Sequence, residues 1–192
     1  MSSSKIIPWK TLASESGPEL PLFSTRFDRV ENPRNGMTMK AVVIESEDWV
    51  NVVALTPQRR IIVVEQHRFG TGKVSLEVPA GVVDPGESPR ETAERELREE
   101  TGYSSGDWTS LGSVESNPAF MNNLCHFWLA TDVFRTQEQS LDAGEDIGAH
   151  ELDFDELEAA IADGRMRNAL SLLALGRVFD LRAFDFGEDA GA

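Results

Sequence analysis

The chain has 192 residues, a length typical of one domain or of one domain with an extension. Its 33 acidic and 18 basic residues give a net charge of −15, which opposes binding to nucleic acids and to anionic membranes. A single cysteine excludes an internal disulfide, and the sequence has neither a signal-type apolar segment nor a run of about 18 apolar residues, so we expect a cytoplasmic protein.

The first third of the chain is dominated by strand signals. Residues 1–20 are polar and are predicted to form an arm or loop. Residues 22–30 alternate weakly and are predicted to form a strand. Segments rich in Val and Ile follow, separated by turn-length breaks, and they predict strands at 39–45, 49–55 and 60–69. Closely spaced strands without intervening helices favour antiparallel hairpins.

The clearest helix signal lies after Gly86. Ser88 can cap this helix, Pro89 suits its first position and Glu91 completes a Ser-x-x-Glu capping box. Gly102 is placed to end it.

The rest of the chain returns to strands and ends in two short helices. Strands are predicted at 109–116, at 125–133 and near 149–154, with an acidic loop at 136–148. One helix is predicted to start at Asp155, with Glu158 three residues later and Gly164 as its stop, and an apolar helix to span 168–181.

These elements predict an α+β fold, in which a few helices pack on a mixed or mostly antiparallel sheet. We expect residues 1–45 to form an N-terminal arm and antiparallel strand extension that dimerises. Residues 46–183 are expected to form the main domain, and the acidic tail 184–192 to be disordered.

The predicted helix carries three carboxylates on one face. At 3.6 residues per turn, Glu96, Glu99 and Glu100 converge beside an apolar stripe of Ala93 and Leu97. Like charges at these spacings repel by roughly 0.2–0.5 kcal/mol per pair. The ordinary interpretation is a solvated charged face; the sharper one is a metal site, because Mg²⁺ bridges carboxylates to substrate phosphates.

The stretch around this helix resembles the signature of the Nudix hydrolases. Eight of nine signature positions match, and Tyr103 replaces the usual aliphatic residue; the matching residues are Gly81, Glu87, Arg95, Glu96, Leu97, Glu99, Glu100 and Gly102. The resemblance covers roughly residues 40–180. It implies an α/β/α sandwich around a mixed sheet and Mg²⁺-dependent hydrolysis of a nucleoside diphosphate derivative, with Mn²⁺ as an alternative ion.

The resemblance also assigns roles to single residues. It implies that Glu96 and Glu100 are the main metal ligands, with the Ala80 carbonyl as an added ligand. Glu99 would be a further ligand or a near neighbour. Glu87 and Arg95 would orient the ligands.

Features outside the signature resemble the ADP-ribose pyrophosphatase branch. They are the lead-in "SLEVPAG" (75–81), Pro118 at 15 residues beyond Tyr103, and "EQHRFG" (65–70), in which Arg68 would bind a phosphate or ribose. The N-terminal strands are similar to those that form an intertwined homodimer in that branch, in which both subunits line each site. From the residues alone, Arg68 is equally well a surface charge at a strand end.

Asn122 and Asn123 depart from that branch, which commonly has an acidic residue there that contacts the terminal ribose. Amides donate and accept hydrogen bonds, so they favour a broader nucleoside-diphosphate-sugar hydrolase. An ordinary turn explains them equally well.

A general base is expected in the acidic loop. Glu145 is the best match to the resemblance, and Asp146 and Glu151 are rivals. The alternative is that this loop is a solvated acidic loop without a catalytic role.

The resemblance therefore predicts a homodimeric, Mg²⁺-dependent pyrophosphatase that converts ADP-ribose or a related nucleoside diphosphate sugar into a nucleoside monophosphate and a sugar phosphate. One alternative is another nucleoside diphosphate derivative: a dinucleotide, a dinucleoside polyphosphate or a nucleoside triphosphate. Another is a nucleotide-sugar sensor without turnover. The sequence leaves open the base, the sugar, the attacked phosphorus and the number of metal ions.

Overall fold

The computed structural model describes residues 6–183, so the predicted tail at 184–192 lies outside the described residues. The chain divides into two compact units. Within the described part, the first unit comprises residues 6–47 and 115–124, and the second comprises residues 48–114 and 125–183. Across residues 6–183, no helix has both the length and the apolar character needed to cross a membrane.

The first unit contains a three-stranded antiparallel sheet, and this confirms the predicted antiparallel strand extension. Its strands are, in spatial order, β1 (Lys10–Leu20), β2 (Phe23–Glu31) and β3 (Thr38–Glu45). The prediction of a loop up to residue 20 is wrong from Lys10 onward, because pairing with β2 overrides weak local strand signals. Gly17 permits this pairing: a Cβ there would lie 2.3 Å from the Thr25 hydroxyl oxygen.

The second unit contains a seven-stranded mixed sheet with the order β12-β5-β4-β10-β9, to which β6 is added beside β5 and β7 beside β4. Strand β10 runs parallel to β4, whereas β5 and β7 run antiparallel to β4. Two short strands form a separate ladder. The strands of this unit are β4 (Trp49–Leu55), β5 (Ile61–Arg68), β6 (Lys73–Glu77), β7 (Ala80–Val82), β8 (Tyr103–Ser104), β9 (Asp107–Glu115), β10 (Leu124–Thr131), β11 (Phe134–Arg135) and β12 (Ile147–Leu152).

Three helices complete the second unit: α1 (Pro89–Thr101), α2 (Phe154–Ala162) and α3 (Ala169–Gly176), followed by a 3₁₀ turn at Leu181–Ala183. The predicted limits of α1 are confirmed. The Ser88 side chain accepts from the Glu91 amide, the Glu91 carboxylate accepts from the Ser88 amide, and Gly102 ends the helix in the left-handed conformation.

The predicted start of α2 is wrong by two residues. Asp153 caps the helix and forms a reciprocal capping box with Glu156. Both Asp153 and Asp155 have a Glu three residues later, so the local pattern fits two registers and packing selects one. Likewise α3 ends at Gly176, short of the predicted residue 181.

The core of the second unit lies on both faces of its sheet. On one face, Val50 and Val52 of β4 pack in a cluster with Ala93 and Leu97 of α1. On the other face, Val53 of β4 packs in a cluster that includes residues of α2 and α3. Alternate residues of one buried strand therefore serve two helical layers, which confirms the predicted sandwich around a mixed sheet.

Candidate active site

Helix α1 carries two of its carboxylates into the protein interior. Ala93 and Leu97 are fully buried against the sheet, and Glu96 and Glu100 flank Leu97 on the helix surface. Glu96 is therefore only 9% exposed and Glu100 only 2%. The interpretation as a solvated face fails for these two residues, whereas the Glu99 side chain remains 37% exposed.

Burial makes both carboxylates hard to ionise. It raises the pKa of Glu96 to about 7, although the charge of Arg95 opposes this shift. It also raises the pKa of Glu100 well above its ordinary value, against the effect of the Ala80 backbone N–H, which donates to Glu100 Oε2 at 3.0 Å. Two buried carboxyl groups that repel each other form a site that a cation would stabilise.

Gly81 provides the space that Glu96 occupies. A Cβ at position 81 would lie 2.0 Å from Glu96 Oε1 and 2.5 Å from Glu96 Cγ, so the Glu96 side chain would have to move to make room for it. Strand β7 brings Gly81 here, because it pairs with β4 beneath α1. The glycine of the signature thus allows the backbone of β7 to approach the Glu96 carboxylate closely.

Arg95 organises the exposed side of this carboxylate group. Its guanidinium contacts Glu87 at 3.1 Å, Glu96 at 2.8 Å, Glu99 at 3.2 Å and Asp84 at 3.5 Å. The bonds from Arg95 are the main reason that the pKa of Glu87 is lowered. Sequence reasoning missed Asp84, which lies in the turn between Gly81 and Gly86.

The donor set fits a hard divalent cation. Between residues 6 and 183, no group of three or more His, Cys, Asp or Glu side chains is arranged to hold a metal ion. Mg²⁺ does not need such a group, because it usually takes one or two carboxylates and completes its shell with water and substrate phosphates. Glu96 and Glu100 satisfy that requirement. The role of the Ala80 carbonyl stays a prediction.

Arg68 lies at the end of β5 and is bound by a carboxylate that sequence reasoning did not single out. Its Nε donates to Glu77 Oε1 at 2.8 Å and its Nη2 donates to Glu77 Oε2 at 2.7 Å. The signal was present, because Glu77 is the one charged residue in the apolar stretch "LEVPA".

The acidic loop brings Glu145 near the buried carboxylates. Burial is the main cause of the raised pKa values of Glu96 and Glu100, and the charge of Glu145 adds to the shift at both. Its rival Glu151 lies in β12, where it pairs with Arg60 and accepts from the Tyr103 hydroxyl. The other rival, Asp146, directly precedes β12.

A glutamine that the sequence analysis missed anchors this loop. The Gln139 amide nitrogen donates to the carbonyl of Glu100 and to that of Ile147. In addition, the Ser140 amide donates to the Glu99 carbonyl at 2.9 Å. The segment before Glu145 is thereby tied to the last turn of α1.

The other predicted substrate-binding residues belong to the first unit. Pro118 is exposed in a turn that starts at Asn117. Asn122 Oδ1 accepts from the Ser46 amide at 3.4 Å, and the buried Asn123 donates to the Glu47 carbonyl at 3.2 Å. These bonds hold the loop beside the end of β3, and the substrate role of the three residues stays a prediction.

The second unit thus combines a mixed sheet between helices with buried carboxylates on a capped helix and a glycine beside them. The family model described as NUDIX domain matches residues 47–173. The chain therefore belongs to the Nudix family and is a Nudix hydrolase, as the signature predicts.

Two relatives match over nearly the whole chain. The methanol dehydrogenase activator of Bacillus methanolicus is 33% identical over 172 residues, which are 89% of this chain and 92% of the relative. The ADP-ribose pyrophosphatase of Bacillus subtilis (strain 168) is 32% identical over 181 residues, 93% of this chain and 90% of the relative. A crystal structure of an ADP compounds hydrolase has the same fold, with a TM-score of 0.80, 23% identity and coverage of 94% of this chain and 97% of that chain.

Proposed function

We propose that this Nudix hydrolase cleaves the diphosphate bond of ADP-ribose or a related nucleoside diphosphate sugar in the presence of Mg²⁺, releasing a nucleoside monophosphate and a sugar phosphate. The observation that carries the proposal is the buried pair of Glu96 and Glu100 beside Gly81. The likeness to an ADP-ribose pyrophosphatase over most of the chain supports the choice of substrate.

The chain's own residues would hold the ion and the substrate. Glu96 and Glu100 are the proposed ligands, and Arg95 keeps Glu96 in place through their 2.8 Å ion pair. When bound, the ion neutralises the diphosphate and activates water. A protein with a net charge of −15 needs such local positive charge to bind an anionic substrate.

Two further residues complete the proposed chemistry. Arg68 supplies a fixed positive charge for a substrate phosphate. Glu145 accepts a proton from the attacking water, since its charge already acts on both ligand carboxylates. The bonds of Gln139 hold the loop that carries Glu145 against α1.

The proposal includes a homodimer formed through the first unit. This unit exposes Trp9, Leu12, Met39 and Val42. These exposed apolar side chains support the proposal, and a second copy of this chain is the proposed partner.

The test is turnover of ADP-ribose by the purified protein. We expect AMP and ribose phosphate to appear with Mg²⁺ and to be absent with a chelator, and Mn²⁺ to substitute. A parallel set should contain other nucleoside diphosphate sugars, a dinucleotide, a dinucleoside polyphosphate and a nucleoside triphosphate. Turnover of one of the last three alone would replace the proposed substrate, and calorimetric binding without any turnover would support a sensor. Hydrolysis in ¹⁸O-labelled water identifies the attacked phosphorus.

The relative from Bacillus methanolicus supports a second candidate function, activation of an alcohol dehydrogenase. Its test is the rate of a purified methanol dehydrogenase with and without this protein. An increase that also requires Glu100 would link activation to the same site, and no increase would remove this candidate.

A further inference from the structure

Glu77 is a buried carboxylate outside the Nudix signature. It ends strand β6 and is 1% exposed. Three side-chain nitrogens donate to it: Arg68 Nε at 2.8 Å, Arg68 Nη2 at 2.7 Å and Asn168 Nδ2 at 3.0 Å. A buried carboxylate is costly unless it is paired and its lone pairs are satisfied, and here three charge-assisted bonds do this.

The geometry fixes the plane of the Arg68 guanidinium. A bidentate contact through Nε and Nη2 sets the orientation of the group as well as its position. It also leaves Nη1 for another acceptor, and the Arg68 side chain is 42% exposed. Arg68 therefore presents a defined donor at the surface from a buried support.

Glu77 is itself fixed from the opposite side. Asn168 caps α3, where its Oδ1 accepts from the amides of Leu170 and Ser171, so its Nδ2 points in a set direction. The same junction is held by a second bond, in which the Val78 amide donates to the Ser171 hydroxyl oxygen at 3.2 Å. The start of α3 is thus tied to the end of β6 on both sides of Glu77.

The charge of the supported arginine interacts with that of Glu100 in α1. The bonds to Glu77 are the main reason that the pKa of Arg68 is raised, and the charge of Glu100 raises it further. Arg68 is therefore within electrostatic reach of the proposed metal site, on the side of the second unit where β5 ends.

We propose that Glu77 is a positioning residue for substrate binding: it holds the Arg68 guanidinium with its Nη1 edge directed to a phosphate of the substrate, and Asn168 holds Glu77. This inference rests on the proposed function, in which Arg68 binds a phosphate. Glu77 itself contacts neither substrate nor metal in this scheme.

The test is chemical rescue of Arg68→Ala by free guanidinium at concentrations that do not denature the protein. We expect Arg68→Ala to raise KM for ADP-ribose by about tenfold or more, with a smaller change in kcat, because a phosphate contact made in both ground and transition states acts on KM. Guanidinium should lower KM again, since the Glu77 carboxylate still offers its bidentate site. In Arg68→Ala with Glu77→Gln, the rescue should be lost.

Matched variants separate positioning from folding. Asp180→Asn breaks a bidentate pair of the same geometry with Arg182 at the surface, and it should leave KM unchanged. Asn168→Ala should raise KM less than Glu77→Gln, and thermal unfolding identifies any variant that is merely unstable. Equal rescue in the presence and absence of the Glu77 carboxylate would overturn the positioning role.

Failure of the proposed function gives a different result. It would appear as no turnover of ADP-ribose by the wild-type protein. In that case calorimetric binding of ADP-ribose to the same variants measures the coupling between Arg68 and Glu77. Coupled losses of affinity would support the positioning role, and independent or absent losses would overturn it.

Discussion

The two units bury their side chains in opposite ways. In the second unit, strand β4 is buried almost throughout and apolar residues cover both of its faces. Among the described residues of the first unit, only Asp28 and Asn123 are buried, and both are polar. The first unit instead exposes apolar side chains such as Leu12 and Val42.

The difference decides what a charged side chain can do. In the first unit, Lys40 and Glu15 form an exposed ion pair at 3.6 Å, and such pairs contribute little. In the second unit, Glu77 and Glu100 are carried into the core by the elements that bear them. The core of the second unit buries carboxylates and raises the pKa of Glu96 and Glu100. The sheet of the first unit instead leaves apolar side chains exposed.

The largest effect expected from this comparison concerns Cys125 in the core of the second unit. Burial raises the pKa of its thiol to about 12, from an ordinary value of 9.0. Since the thiolate is the reactive form, its fraction near pH 8 falls by roughly a thousandfold. We expect a disulfide reagent to react slowly with the native protein and rapidly after denaturation. Rapid reaction of the native protein would show that this core is open.

The next largest effect is expected when a buried carboxylate of α1 is replaced. Glu100→Gln should lower kcat by at least about 100-fold, since even residues that only support a metal ligand typically cost 10–100-fold. The control is Glu94→Gln on the exposed side of α1, where Glu94 pairs with Arg90. Activity and circular dichroism should be measured for both. A Glu100→Gln protein with full activity would remove Glu100 from the site.

A smaller effect is expected where the backbone makes room for Glu96. Gly81→Ala would place a Cβ within 2.0 Å of Glu96 Oε1, so we expect a loss of about 1–3 kcal/mol in the free energy of unfolding and a higher Mg²⁺ requirement. Gly70→Ala is the matched control, because a Cβ there meets no atom within 4 Å. Thermal unfolding and Mg²⁺ titration measure both variants, and equal behaviour would contradict the close packing at Gly81.

The smallest effect tests the exposed surface of the first unit. Val42→Asp should weaken the proposed dimer by about tenfold, or ~1.4 kcal/mol, because a carboxylate would replace an apolar contact. Leu173→Asp changes an exposed apolar residue of α3 in the second unit and should leave the dimer intact. Light scattering across a concentration series gives both affinities. A monomeric wild-type protein would exclude the dimer.

Local signals were reliable where they were redundant. Helix α1 was predicted to the residue, because Ser88, Glu91 and Gly102 each mark an end. They were insufficient where the pattern repeats, as with Asp153 and Asp155 at the start of α2, and where pairing outweighs propensity, as in β1. The contact of Glu77 with Asn168 and that of Gln139 with Glu100 join residues distant in sequence, so no local pattern contains them.

The sequence by itself determined the family, the capped helix and the set of signature residues, because these depend on residue types at fixed short spacings. Tertiary structure decided which glutamates are buried away from water, which of them pair with Arg95 and which one supports Arg68. The reason is physical: burial and the distances between charges arise only when β5, β6, β7 and α1 pack together. Glu96, Glu99 and Glu100 look alike in the sequence, and their chemistry diverges only in the fold.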